Sequence, residues 1–226
     1  MMQFSFIEQI ALAIFLLSGI SFFLYHLLLR LKIVLKGKSD FSIDQLPKRI
    51  TRVFDEVILH KKVASGKRKS AGILHALVMY GFIFFGLITI NHFGMAFGLP
   101  IFSDSIRHTY FLFFGAPWAI LCSIGILGLA YRRFVIKPEA LGKFSSTSAI
   151  VSVFIVTLMV TYLIDEFHIL SGTAEKFNWW LHSGVIGGFL FLIPQSKHMH
   201  LVLSPFNIFL RPFEVPSHGA IPIDME

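Results

Sequence analysis

The sequence carries one cysteine, Cys122, in 226 residues. A lone thiol excludes an intrachain disulfide. It equally excludes a cysteine-ligated iron–sulfur cluster or zinc ribbon held by this chain alone. Charge is scarce too: Asp, Glu, Lys and Arg make up 15%, against about 25% in a soluble domain. Acidic residues are the scarcest, 13 against 20 Lys and Arg, for a net charge of +7. In their place stand 55% hydrophobic residues, including 26 Phe, and a mean hydropathy of +0.72. A chain of this size has too little interior to hide that apolar surface, so lipid must cover much of it. Ten histidines in so uncharged a chain are the other anomaly.

Five apolar stretches are long enough to cross a bilayer, for which about 20 residues suffice. They run from Ile10 to Leu29, Ala71 to Leu99, Thr109 to Tyr131, about Ser146 to Ile164, and from near Phe177 past Pro194 towards His200. The first reads as a retained helix, since no basic residue precedes it and it is too long for a signal-peptide core. Twelve of the 20 Lys and Arg fall between Arg30 and Lys69, and four between Arg132 and Lys143. Lys197 and Arg211 follow the last span, and only Arg107 and Lys176 lie in the two opposite loops. The positive-inside rule then predicts an all-α, integral membrane five-helix bundle, N-terminus outside and C-terminus cytoplasmic. The basic excess is topological, and nucleic-acid binding gains no support.

Within the first cytoplasmic loop, residues 44–63 place Leu46, Ile50, Val53, Phe54, Val57 and Ile58 at helical spacing. Lys48, Arg49, Arg52, Lys61 and Lys62 fall on other faces. This predicts an amphipathic helix lying on the headgroups, a position compatible with docking a cytoplasmic partner.

Ionisable residues inside a membrane are costly and usually functional. His26, His75, His198 and His200 lie near the cytoplasmic boundary, and His92, His108, His168 and His182 near the outer one. His60 and His218 fall in aqueous segments, where surface residues are the default. A lone histidine at a helix end is usually interfacial, and that reading holds for His26, His108 and His168. His182 and His200 are 18 residues apart, which is five turns of one face and about 27 Å of rise. His198 falls roughly 160° round from His182, so phase favours His200, although a kink at Pro194 would alter that phase. His75 and His92 are 17 residues apart on an antiparallel span, so His75 shares a depth with His200 and His92 with His182. Helix bundles hold haem between facing histidines, and two bis-His haem b sites stacked across the membrane follow. The inner site has Lys67, Arg68, Lys69 and Lys197 nearby for haem propionates, and the outer mainly Arg107. Gly81, Gly86, Gly184, Gly187 and Gly188 would either bring helices close or leave room for a flat macrocycle.

The segment Trp180–Leu181–His182 through Ile193–Pro194 and Ser196–Lys197 to His200 resembles the last helix of the respiratory nitrate reductase gamma subunit. Leu74–His75 and His92–Phe93–Gly94–Met95 resemble its two-histidine helix, with a wider spacing here. A closer resemblance is to the nitrate-reductase-gamma-like membrane domain of heterodisulfide-reductase-related iron–sulfur oxidoreductases. It rests on Lys67–Arg68, Gly72, His75, Ile193–Pro194, Ser196–Lys197–His198–Met199–His200, Pro205 and Asn207. The resemblance implies a transmembrane cytochrome b domain over residues 1–211, with 212–226 as a cytoplasmic tail. Pro222 to Glu226 is similar to the linker that leads, in fused members, to a ferredoxin-type domain. Cluster and disulfide-reductase activities are not carried over. It implies two haem b groups, His75 and His200 ligating the inner iron and His92 and His182 the outer. It further implies exchange of electrons between menaquinone or another quinone and a cytoplasmic iron–sulfur or flavoprotein subunit, at a bacterial or archaeal cytoplasmic membrane.

Quinone chemistry also moves protons. Asp104, Asp165, Glu166 and His168 are the outer-side candidates, with simple solvation as their default. A small transporter, a cofactor-free membrane anchor and a transition-metal site at His75, His198 and His200 are the rival readings.

Overall fold

The computed structural model describes residues 4–35, 44–61, 69–142, 144–211 and 213. The expected inner-end cations Lys67 and Arg68, His218, and the tail 212–226 apart from Phe213 lie outside these residues. Every element among the described residues is helical. α1 is Phe6–Leu35, α2 is Leu46–Val53, and α3 is Lys69–Ala96. α4 is the 33-residue rod Asp104–Ile136, α5 is Ser146–Glu166, α6 is Gly172–Leu192, and α7 is His200–Leu210.

Four of these, α1, α3, α4 and α5, are long and apolar enough to cross a membrane. Their outward faces carry bare apolar side chains such as Ile14, Phe82, Phe113 and Val153, each more than half exposed. Water would not tolerate so continuous a surface. α6 has the length of α5, at 21 residues. It is not among the four, because its first half spends Glu175, Lys176, Asn178, His182 and Ser183 on polar groups.

α3 packs on α4, α4 on α5, α5 on α6 and α6 on α1, while no comparable backbone packing joins α3 to α6. The α3–α4 seam is close because Gly81 and Gly125 lack a Cβ. One built on Gly81 would meet Cys122 Sγ at 2.8 Å, and one on Gly125 would meet Leu74 O at 2.8 Å. Beside that seam Phe111, Ala119, Cys122, Met159 and Tyr162 form the main buried cluster. A second cluster, Leu12, Ala96 and Trp179, joins α1, α3 and α6.

The expected continuous helix through Pro194 is broken. α6 stops at Leu192, a turn carries Pro194, Lys197–Met199 form a 3-10 turn, and α7 starts afresh at His200. Proline lacks an N–H and crowds the preceding turn. The phase count from His182 to His200 therefore does not apply.

α2 continues into a π-helical turn, Phe54–Ile58, and leaves Leu46, Ile50, Phe54 and Ile58 exposed along one side. Arg49 departs from the expected polar face and is 4% exposed. Its Nη1 donates to Phe209 O at 2.8 Å and Arg211 O at 3.3 Å, and its Nε donates to Asp44 O at 2.9 Å. The last carbonyls of a helix have no partner of their own, and a guanidinium at the end of α7 supplies one. Arg52 donates to Arg211 O at 2.6 Å, and Arg211 pairs with Glu56, which raises the Arg211 pKa further.

Candidate functional site

α3 carries His75 near one end and His92 near the other, and both meet histidines from the α6–α7 segment. At the end expected to be cytoplasmic, called the inner end below, His75 and His200 have ring centres 6.2 Å apart and planes inclined by 35°. At the outer end, His92 and His182 lie 5.0 Å apart, inclined by 53°. These are the two pairs expected from depth. His198 lies beside the inner pair, 6.3 Å from His200, with its Nδ1 3.2 Å from Ser196 Oγ.

Hydrogen bonds decide which ring nitrogen is bare. His200 Nδ1 lies 2.8 Å from Lys197 O. A carbonyl only accepts, so Nδ1 carries the hydrogen and the neutral ring keeps a lone pair at Nε2. His182 Nδ1 lies 2.7 Å from Thr161 Oγ1, whose own hydrogen goes to Thr157 O at 2.7 Å. The threonine must then accept, and His182 also keeps Nε2 bare. Asn178, 5% exposed, donates to Thr161 O at 2.9 Å and ties the two helices together at that point. His92 is engaged differently. It stacks on Trp179 at 4.7 Å, and its Nε2 lies 3.0 Å from Ser183 Oγ.

Two imidazoles ligating one metal from opposite sides, each at about 2.0–2.1 Å, hold their ring centres about 6 Å apart. The inner pair meets that spacing. The outer pair has to open by about 1 Å and release Ser183. Among the described residues no group of three or more His, Cys, Asp or Glu is arranged to hold a metal ion. The three-histidine alternative at His75, His198 and His200 is thus not formed. Of the singled-out glycines, a Cβ on Gly81, Gly187 or Gly188 would strike a neighbouring side chain, whereas Gly86 and Gly184 face open space. Gly86 lies 11 residues from His75, about 20° round and so on the same face of α3.

A cavity of about 350 Å³ opens beside the outer pair, within the range of small-molecule sites. Its walls include His92, His182, Arg107 and Tyr162. The four acid–base candidates Asp104, Asp165, Glu166 and His168 line it as well. Simple solvation does not describe Glu166: its side chain is 10% exposed and pairs with Arg107 at 3.0 Å. Arg107 Nε is buried with no hydrogen-bond partner among the described residues.

Sequence reasoning missed His60. Expected at the surface, it is 6% exposed, with its ring 5.6 Å from His75. Thr161, Asn178, Ser183 and Trp179 were also passed over; three of them are polar residues inside apolar runs, a signal as local as the histidines themselves.

No family model matches the chain, and no solved structure does. A curated relative does: the probable iron-sulfur-binding oxidoreductase FadF of Bacillus subtilis (strain 168), 29% identical over 224 residues. The match takes in 85% of this chain and 31% of the relative, so the chain spans about a third of that protein's length. The chain is a distant homologue of an iron–sulfur-binding oxidoreductase.

Proposed function

We propose that this chain is a haem b-binding membrane subunit that passes electrons between a quinone pool and a cytoplasmic iron–sulfur or flavoprotein partner. The observation that carries the reading is the double pairing of histidines, one pair at each end of α3, both drawn from the same two regions of chain. The distant relative's name, an iron–sulfur-binding oxidoreductase, supports an electron-transfer setting. With a single cysteine in this chain, cysteine-ligated clusters belong to a partner or to another part of the protein.

Bound haem b supplies one-electron transfer between ferrous and ferric iron. The chain's own residues do the rest. Thr161 and Lys197 O hold His182 and His200 with Nε2 free for a metal. The bundle's packed side chains partly bury His75, His92 and His182, while His200 stays exposed at its end. α6 counts as the fifth span, its polar half sheltered by Thr161, Trp179 and the outer histidines. The outer cavity suits a quinone headgroup, with Glu166 poised as a proton acceptor and Arg107 holding it in place. The one-sided placement of Lys and Arg supports an orientation with that cavity outside and α2 and α7 in the cytoplasm.

The test is the reduced-minus-oxidised visible spectrum of the purified protein with pyridine haemochrome quantification. Two b-type haems per chain are expected. A fully folded preparation that takes up no haem would sink the reading.

A further inference from the structure

His60 belongs to no span. It follows the π turn after α2, in a left-handed backbone with φ 51°. Non-glycine residues rarely adopt that conformation, and here it turns the imidazole inward to 6% exposure. Tyr80 of α3 holds the same turn: its hydroxyl donates to Ile58 O at 2.5 Å, and its ring lies 6.0 Å from that of His60. The cytoplasmic segment is therefore fastened to α3 one turn away from His75.

The two imidazoles are complementary. His60 Nδ1 lies 2.7 Å from Val57 O. The carbonyl can only accept, so the neutral ring presents a bare lone pair at Nε2. His75 has the opposite lack: its Nδ1 is buried with no hydrogen-bond partner among the described residues. An in-line N–H···N bond between imidazoles sets their ring centres about 5.2 Å apart. The observed separation is 5.6 Å with planes inclined by 31°, within about half an ångström of that spacing.

We infer that His60 is a positioning residue: it accepts the Nδ1 hydrogen of His75 and holds that ring with Nε2 towards His200. The inference rests on the haem reading for its consequence. A ligating imidazole whose second nitrogen donates to an acceptor is fixed in orientation and made more basic. A more basic ligand stabilises ferric iron and lowers the haem potential. The chain Val57 O, His60, His75 thus sets the inner site from the cytoplasmic segment rather than from a neighbouring span.

The experiment compares wild type, His60→Leu, His60→Gln and His75→Ala in the full chain, by potentiometric titration and low-temperature EPR of the oxidised protein. The outer haem serves as the internal measure of folding. His60→Leu is expected to raise the midpoint potential of one haem, move its EPR signal, and weaken its retention by roughly 10- to 100-fold. His60→Gln keeps an acceptor oxygen and is expected to stay near wild type. Unchanged potentials and signals in His60→Leu would overturn the inference while leaving the haem reading intact. So would a His60→Gln protein as disturbed as His60→Leu, since packing alone would then explain both. If His75→Ala retains both haems, the haem reading fails and this inference with it.

Discussion

The two histidine pairs share α3 and differ in how they are held. The outer pair is closed. Its rings approach to 5.0 Å, His92 stacks on Trp179, and Ser183, Thr161 and Asn178 satisfy the polar atoms around it. The inner pair is open. Its rings stand 6.2 Å apart, His200 lies past the break at Pro194 on a new helix, and His75 keeps an unsatisfied nitrogen. Both ends of one bundle obey the same rule, that a buried polar atom needs a partner. Around its histidines the outer end meets it with side chains from within the spans, while Arg107 Nε nearby has no partner among the described residues. The inner end leaves it to a residue brought in from a loop. At the inner end the ring spacing already matches that of two imidazoles on one metal, whereas the outer rings stand closer together.

The largest test of this contrast removes one ring at each end. His200→Ala should abolish one haem and His182→Ala the other, each leaving its counterpart, as read by haemochrome yield and the visible spectrum. Loss of the same haem in both variants would contradict separate inner and outer sites. Thr161→Val keeps the shape but removes the acceptor that fixes His182. Outer-site affinity should fall by roughly 10- to 100-fold with the inner site unchanged, as measured by haem retention during dilution. Gly125→Ala drives a methyl group onto Leu74 O, a backbone atom adjacent to His75. A cost of about 1–3 kcal/mol is expected, read as a lower melting temperature in detergent, with inner-site occupancy declining before the outer. An unchanged melting temperature would mean that the α3–α4 seam is looser than its geometry shows.

The depth pairing was legible because apolar spans fix how deep a residue sits, so counting along α3 and back along α6 brings His92 level with His182. The same counting was sound for His200 only in depth. Pro194 ends the helix, and His200 reaches His75 by a new helix rather than by sharing a face with His182. His60 was illegible for a different reason. Its stretch reads as an aqueous loop, and a left-handed turn at a non-glycine residue leaves no local mark. Arg49 shows the same limit. Periodicity places it on a polar face, yet beyond Asp44 its partners lie about 160 residues away, at a helix end that no local pattern connects to it. The polarity of α6 was visible in Asn178, His182 and Ser183, and it is why length and hydropathy single out four spans here where a count of apolar stretches gives five.

The clamp from Arg49 to the end of α7 also orders events in time. Arg49 leaves the ribosome early and its acceptors, Phe209 O and Arg211 O, leave near the last of the described residues. A guanidinium that is 4% exposed in the finished protein must stay hydrated until then. The layer formed by α2 and α7 therefore closes only after every helix among the described residues has been made. His200 stands at the start of the helix that Arg49 clamps, so its meeting with His75 belongs to that same late interval.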